Sequence, residues 1–416
     1  MEKKHAVIIG GSLGGLFTAN LLRSIDWEVD VYERVANDLA SRGAGIGTHD
    51  EMFKTLRRIG ISIDETLGVK VSNRIFYDSN GKVIATAVLD RYMSSWARFY
   101  RPLKDLLPTS NYHFNKQFTH YTQSSNKITA HFNDHSAVDA DLLIGADGIW
   151  SAVRNQMYPD TKPLYAGYVA WRGMVNEADI PKNLANEIFT KHTFCLPEGQ
   201  YMITYPVPGA NDDVRPGFRR CNFVWYHPLG LEKLSDMCTD DQGKCHGISI
   251  PHHLIRADIL SEMKATARSL FAPQIADIVD LVKQPFFQSI YDCIPPTITG
   301  DKIALVGDAA FLGRPHTGMG TTKAALDAEY LIDALLTSKG NLTEALTDYN
   351  QDRSRFGMRV VERGRWLGAH LSAHLTKPKD QRSPEELEHR TPEVSMREFG
   401  AHLSDIPELS AIARKH

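Results

Sequence analysis

The apolar run Ala6 to Ile9 ends directly in Gly10-Gly11-Ser12-Leu13-Gly14-Gly15, and that junction restricts the fold more than any other part of the chain. A short buried run that stops at a glycine turn reads as a parallel strand feeding a helix. Leu16 to Ser24 continues with apolar residues on one helical face. Glu28 to Glu33 alternates apolar and polar residues and reads as a second strand. The βαβ unit so formed requires a parallel sheet with helices on its faces. Without side chains, the turn's backbone can approach a pyrophosphate, and the N–H groups of the next helix point at it. Gly10 and Gly15 take the first and third glycine positions of the dinucleotide pattern. Ser12 takes the second, where a small hydroxyl can still donate to a phosphate oxygen. Gly11, Leu13 and Gly14 complete the turn. Glu33 stands at the end of the second strand, where a carboxylate suits an adenosine ribose. A tight strand–helix turn without a ligand is the plain alternative, and Glu33 weighs against it.

Two distant segments repeat the theme of an apolar run with a small-residue turn. Leu142 to Ala146 ends at Asp147-Gly148, and an aspartate buried there needs donors. Ser151 and Arg154 follow one helical turn apart, and Arg154 can pair with an acidic group or a phosphate. Lys302 to Val306 ends at Gly307-Asp308, where the carboxylate can accept from a ribitol or ribose hydroxyl. The stretch Arg314-Pro315-His316-Thr317-Gly318-Met319-Gly320 then precedes a long helix over Thr321 to Leu336. Amides at that helix start would face an anion or an electron-rich ring carbonyl. Each of these segments alone also reads as a capped helix start. Three in this order fit one flavin adenine dinucleotide (FAD) bound by a single domain interrupted by insertions.

Composition sets the outer limits. A chain of 416 residues holds one large domain with insertions or two to three domains. Its net charge of −3 gives no electrostatic case for nucleic acid or an anionic membrane. No apolar run approaches the roughly 18–20 residues that span a bilayer. Five cysteines, an odd number, suit reduced thiols in a cytoplasmic protein. Cys238 and Cys245 lie near His246, His252 and His253 but lack a paired C-x-x-C, so no metal site is expected.

The pattern over Val71 to Asp90 is strand-like, with a hairpin turn at Ser79-Asn80-Gly81. His113 to Asp141 reads as antiparallel strands turning at Asn133 to Ser136. Tyr165 to Tyr291 carries aromatic and β-branched stretches of a second, mostly antiparallel sheet. The expected architecture is α/β: a Rossmann-like FAD-binding domain, an inserted and mostly antiparallel β-sheet substrate domain, and C-terminal helices. The FAD-binding domain takes residues 1–70, 98–164 and 292–374, and the substrate domain 71–97 and 165–291. Residues 375–416 are expected to form a polar tail with a modest helix, a candidate for self-association as a homodimer.

Together these motifs resemble the class A flavoprotein monooxygenases of the para-hydroxybenzoate hydroxylase fold, over about residues 5 to 370. Val31-Tyr32-Glu33-Arg34, Tyr165 to Gly173 and Arg314-Pro315-His316 sharpen the resemblance toward members that act on hydroxypyridines. The resemblance implies FAD held by Gly10 to Gly15, Glu33, Arg34, Asp147, Gly148 and Asp308. Pro315, Gly318, Met319 and Gly320 would face the isoalloxazine. Arg42 and Arg98 are candidate flavin-contacting arginines. The implied reaction is NADH- or NADPH-dependent: the flavin is reduced, O2 forms a hydroperoxide on it, and a small electron-rich phenolic or heteroaromatic ring is hydroxylated. A base near the ring hydroxyl would help. His316 and His49 are the candidates, and Tyr205 is a further candidate whose plainer role is pocket wall. The competing expectations are a related monooxygenase or epoxidase acting on a larger substrate, such as a drug or polyketide, and a flavin redox sensor without turnover.

Overall fold

Strand β1 (His5–Ile9), helix α1 (Leu13–Arg23) and strand β2 (Glu28–Tyr32) form the βαβ unit, with Ile8 opposite Val31 in parallel register. The computed structural model describes residues 3–39, 45–62, 67–377, 381–387, 391–401 and 403–413. Helix α1 buries Leu16, Phe17 and Leu21 on the sheet. The chain then leaves for β3 (Gly45–Gly47), α2 (Asp50–Ile59), β4 (Val69–Tyr77), β5 (Val83–Ser95) and α3 (Trp96–Asp105). The turn between β4 and β5 is shaped by Asp78, whose carboxylate accepts the N–H groups of Asn80 and Lys82. That aspartate turn, with Gly81 at φ +85°, produces the hairpin. Ser95 caps α3 by accepting the N–H of Arg98.

Strand β6 (Tyr112–His113) pairs with β2. Strands β7 (Phe118–Gln123), β8 (Ile128–Phe132) and β9 (Ala137–Ala140) form a three-stranded antiparallel sheet. Strand β10 (Leu142–Gly145) returns beside β1, placing Ile144 opposite Ile8, and α4 (Ala152–Met157) follows. The next excursion comprises β11 (Leu164–Asn176), α5 (Lys182–Ile188), β12 (Lys191–Cys195), β13 (Tyr201–Val207), β14 (Arg220–Pro228), α6 (Leu231–Met237), α7 (Ala257–Leu270), α8 (Pro273–Leu281) and β15 (Phe286–Asp292). Strands β16 (Thr299–Gly300) and β17 (Ile303–Leu305) close the first sheet. Helices α9 (Gly320–Thr337), α10 (Leu342–Thr376), α11 (Pro384–Leu387), α12 (Pro392–Glu398) and α13 (Pro407–Ala413) complete the chain.

The first sheet has the order β16-β17-β10-β1-β2-β6, parallel except for the β16–β17 pair. The second has eight strands in the order β15-β11-β14-β13-β12-β4-β5-β3. Its pairs are antiparallel except β12 with β4. Side chains on this sheet alternate between two cores, as a pleated strand requires. Trp171, Met202, Phe223 and Trp225 pack on Ile275 and Val279 of α8. Tyr168, Phe194, Tyr201, Val224 and Tyr226 point the other way, toward Leu367 and Leu371 of α10.

Two segments differ from the sequence-based division. Residues 45–47, grouped with the first unit, hydrogen-bond into the second sheet as β3 against β5. A three-residue strand has no periodicity to read. The segment 375–416, expected as a polar tail, returns to the body of the protein. Phe399 is 4% exposed, and its ring packs, tilted, 4.8 Å from that of Tyr201. Leu403, Ile406 and Leu409 pack on Met319, Leu326 and Phe356. Arg74 donates to the carbonyls of Ser395 and Met396, and Arg91 to that of Gly400. A few apolar residues at helical spacing were hidden in a polar average.

Phe399→Ala should weaken docking of the C-terminal segment by about 3–5 kcal/mol. Limited proteolysis should then remove that segment faster than in the wild type. Equal cleavage rates would show that Phe399 does not hold it.

Candidate active site

Parallel pairing of β1, β10 and β17 sets the three sequence motifs side by side at the carboxyl ends of their strands, where ligands of open α/β sheets bind. Gly10 sits at φ +109°, and a Cβ there would lie 2.3 Å from the carbonyl oxygen of Ala146. The first and second motifs therefore touch only because residue 10 lacks a side chain. Ser12 is the N-cap of α1, yet its hydroxyl makes no capping bond. It remains available to a phosphate, as do the first amides of the helix. Glu33 is buried, and its carboxylate accepts from the N–H groups of Gly11 and Val35, both at 3.0 Å. These bonds aim it along the turn and leave acceptor capacity on each oxygen.

Glu33, Arg34, Gly10, Ser12, Asp147 and Gly148 line one cavity of about 420 Å³. Asp147 accepts through Oδ2 from the N–H groups of Ala152, at 2.6 Å, and Val153, at 3.3 Å. Its Oδ1 has no partner. The carboxyl opens on the groove but is walled by protein. Desolvation raises its pKa against the bonds it accepts from Ser151 and the helix amides. No atom lies within 4 Å of where a Cβ on Gly148 would stand. An orphaned acceptor, an uncapped helix start and open space beside a glycine fit the ribose and pyrophosphate of FAD.

The third motif rests on a buried ion cluster. Asp327 accepts from Arg353 Nε at 2.8 Å, from Lys323 Nζ at 3.1 Å and from the N–H of Gly307 at 2.9 Å. Lys323 also donates to the Gly307 carbonyl at 2.5 Å. Burial opposes ionisation of Asp327, but Lys323 and Arg353 more than offset it and hold its pKa below the usual range. Asp308 is thereby presented to a second cavity with no hydrogen bond to its carboxylate among the described residues. Desolvation raises its pKa, with Lys323 acting in the opposite direction. Arg154, read as a partner for an acid or phosphate, instead donates to the carbonyls of Asp308, Ala309 and Ile149. It ties the second motif to the third.

The second cavity, of about 280 Å³, lies between this motif and one face of the eight-stranded sheet. It is lined by Pro315, Gly318 and Gly320, by His49 and His316, and by Tyr201, Tyr205 and Tyr226. His316 is 4% exposed, with Nε2 2.6 Å from the Tyr168 hydroxyl and Nδ1 hydrogen-bonded to the Tyr201 hydroxyl. The ring of Tyr226 stands 4.7 Å away. His49 occupies the N-cap position of α2 without a side-chain capping bond and meets Thr322 Oγ1 through Nδ1 at 3.0 Å. Tyr205 donates to the carbonyl of Gly45 at 3.0 Å and so pins β3 to the cavity wall. Burial raises its pKa, so the phenol stays protonated. Met319 is wholly buried in the core that receives the C-terminal segment. It is not among the residues that line either cavity. Arg98 lies on α3, two residues from Trp96, which lines the cavity of about 420 Å³, but does not itself line either cavity. Arg42 lies outside the described residues. Asp327, Lys323, Arg353, Tyr168, Tyr201 and His192 were not found from sequence. Of these, Lys323 and Asp327 carried a visible signal, an i,i+4 pair of opposite charges.

A glycine turn and two aspartates at adjacent strand ends, beside an aromatic-lined cavity, are the layout of a FAD-dependent oxygenase. The family described as FAD binding domain matches residues 3–204, and that described as FAD binding domain-like matches residues 165–292. In fold and in its relatives the chain is similar to the FAD-binding class A flavoprotein monooxygenases. It is 29% identical over 366 residues to 2,6-dihydroxypyridine 3-monooxygenase of Paenarthrobacter nicotinovorans, covering 88% of this chain and 90% of that one. It is 25% identical to 6-hydroxynicotinate 3-monooxygenase of Pseudomonas fluorescens, over 88% and 92% of the two chains. The solved structure of 2,6-dihydroxypyridine-3-hydroxylase from Arthrobacter nicotinovorans matches with a TM-score of 0.83 at 26% identity, over 94% of this chain and 99% of that one.

Asp327→Ala leaves Lys323 and Arg353 buried without their counter-ion and should cost about 3–5 kcal/mol in urea unfolding. The folded carboxyl is depressed below the unfolded value of about 3.9. Its contribution is therefore present above that pH and is lost as pH falls through the folded pKa. Wild-type stability should drop more steeply below about pH 4 than that of the variant. Equal slopes would remove Asp327 from the acid response.

Proposed function

We propose that the protein is an NAD(P)H-consuming, FAD-dependent monooxygenase that hydroxylates a small, electron-rich hydroxypyridine-like or phenolic ring. The observation that carries this reading is the buried His316, engaged by a tyrosine hydroxyl at each ring nitrogen beside a cavity that Asp308 and the Pro315–Gly320 turn also line. At about 280 Å³ the cavity is at the small end for ligand sites, which favours a single ring over a drug or polyketide. The free thiols support a cytoplasmic setting.

FAD, when bound, supplies oxygen activation after reduction by the nicotinamide cofactor. Glu33 and Ser12 would hold its adenosine and pyrophosphate end, and Asp308 its ribityl chain. The protein's own part is orientation and dryness. Tyr201, Tyr226 and Phe399 exclude water from the reacting ring. Burial raises the pKa of Tyr168, so its phenol keeps its proton. His316 can give its Nε2 proton to the Tyr168 oxygen, which leaves Nδ1 to accept from the Tyr201 hydroxyl on the cavity side. A proton taken from the substrate hydroxyl has this short chain to enter, and a deprotonated ring is the better nucleophile.

Purified protein should be yellow and should oxidise NADH or NADPH faster when hydroxypyridines or hydroxybenzoates are added. Hydroxylated product should be scored against hydrogen peroxide. If no ring compound is oxygenated or accelerates oxidation, the reading fails. His316→Ala should retain FAD and lose hydroxylation by about 10²-fold or more, the usual worth of a placed acid–base group. Unchanged turnover and coupling would remove the histidine from the mechanism.

A further inference from the structure

The cavity wall opposite the Pro315–Gly320 turn holds positive charge without a counter-ion. Arg172 of β11 lines it and forms no hydrogen bond or ion pair with any described residue. Arg91 of β5, 5% exposed, gives one N–H to the carbonyl of Gly400, while its Nε and other terminal nitrogen have no acceptor. His192 of β12, 8% exposed, lines the same wall with neither ring nitrogen partnered. Arg74, opposite His192 in the β4–β12 register, donates only to carbonyls. No carboxylate among the described residues lies within ion-pair distance of Arg74, Arg91 or Arg172. Asp50 and Asp405 act on Arg91 only from farther off, and Asp308 lies on the flavin side of the cavity.

Buried charges without partners are costly, and folded proteins pair them or supply the missing ion from a ligand. The strain is visible here. Burial and the neighbouring Arg91 bring Arg74 down to about 10. Burial, then Arg74 and Arg91, push His192 well below its ordinary value, so it stands neutral with an N–H to give. The FAD phosphates do not answer this charge, because the glycine turn and helix start that suit them line the other cavity.

We propose that the ring bound in this cavity carries a carboxylate, seated against Arg172 with Arg91 and His192 completing the wall. This rests on the hydroxylase reading and narrows its substrate class. A planar guanidinium suits a carboxylate through two parallel N–H bonds, and the low-dielectric surroundings strengthen them. The aromatic side chains of Tyr201, Tyr205 and Tyr226 on the same sheet face would then grip the ring itself.

The test compares rings that differ only in that group: 6-hydroxynicotinate with 2-hydroxypyridine, and 4-hydroxybenzoate with phenol. Each is titrated into the FAD-loaded protein and followed by the change in the visible flavin spectrum, which needs no turnover. In at least one pair the carboxylated ring should bind roughly 10- to 100-fold more tightly, the range for a hydrogen bond to a charged group. In Arg172→Met that ratio should collapse toward one while FAD content and thermal melting stay as in the wild type. Arg172→Lys should restore part of it. Equal or weaker binding of both carboxylated rings by the wild type overturns the proposal without any variant. If the neutral rings are nevertheless hydroxylated, the hydroxylase reading survives it. Loss of FAD from Arg172→Met would assign the arginine to the flavin and overturn the proposal as well. If neither charged nor neutral rings perturb the flavin or stimulate NAD(P)H oxidation, both readings fall together.

Discussion

Strand β1 is hydrogen-bonded along both edges, to β2 on one side and β10 on the other, and β10 is paired in turn with β17. Because these strands run parallel, their carboxyl ends share one rim. Gly10, Asp147 and Asp308, more than a hundred residues apart at each step, come to adjacent turns. Ile8, Ile144 and Leu305 are wholly buried, as strands covered on both faces must be. The register is therefore set by the core, and the cofactor residues inherit their positions from it. The second sheet depends on the same arrangement. One insertion, between β2 and β6, supplies β3, β4 and β5. Another, between β10 and β16, supplies the remaining five strands. The two meet at β12 and β4, the parallel pair in an otherwise antiparallel sheet.

The Gly307 turn illustrates how such a frame is made specific. A buried cluster of Asp327, Lys323 and Arg353 is weak evidence for added stability, because desolvation consumes much of the attraction. Its value lies in position. Asp327 and Lys323 bond the N–H and the carbonyl of the same residue, Gly307. The turn that presents Asp308 is therefore held from both of its backbone polar groups. Helix α10 approaches from the other side, and Gly368 permits it: a Cβ there would come within 2.6 Å of His316 Nε2.

The parts legible in sequence were those in which an apolar run meets a turn within a few residues. The glycine turn, Asp147-Gly148, the hairpin at Ser79 to Gly81 and the long helix α9 are of that kind. Other parts rest on relations that no local window contains. Arg154 pairs with carbonyls across 154 and 155 positions, a partner type that side-chain chemistry does not announce. β3 is too short to show a period. Tyr168 and Tyr201, both from the insertion between β10 and β16, meet His316 only after that insertion has folded against the turn before α9. Arg91, Arg172 and His192 read separately as surface or core residues, and their shared wall emerges only from the register of strands in different insertions.

The C-terminal cover joins these levels. Arg74 and Arg91 hold it through the carbonyls of Ser395, Met396 and Gly400 rather than through carboxylates. Carbonyl oxygens satisfy N–H donors but bring no negative charge. Phe399 and Gly400 therefore add wall to the cavity while leaving the arginines' charge undiminished. A carboxylate latch would have held the segment equally well and neutralised that wall. The choice of backbone acceptors couples the C-terminal cover to an electrostatic demand that only a bound anion fulfils.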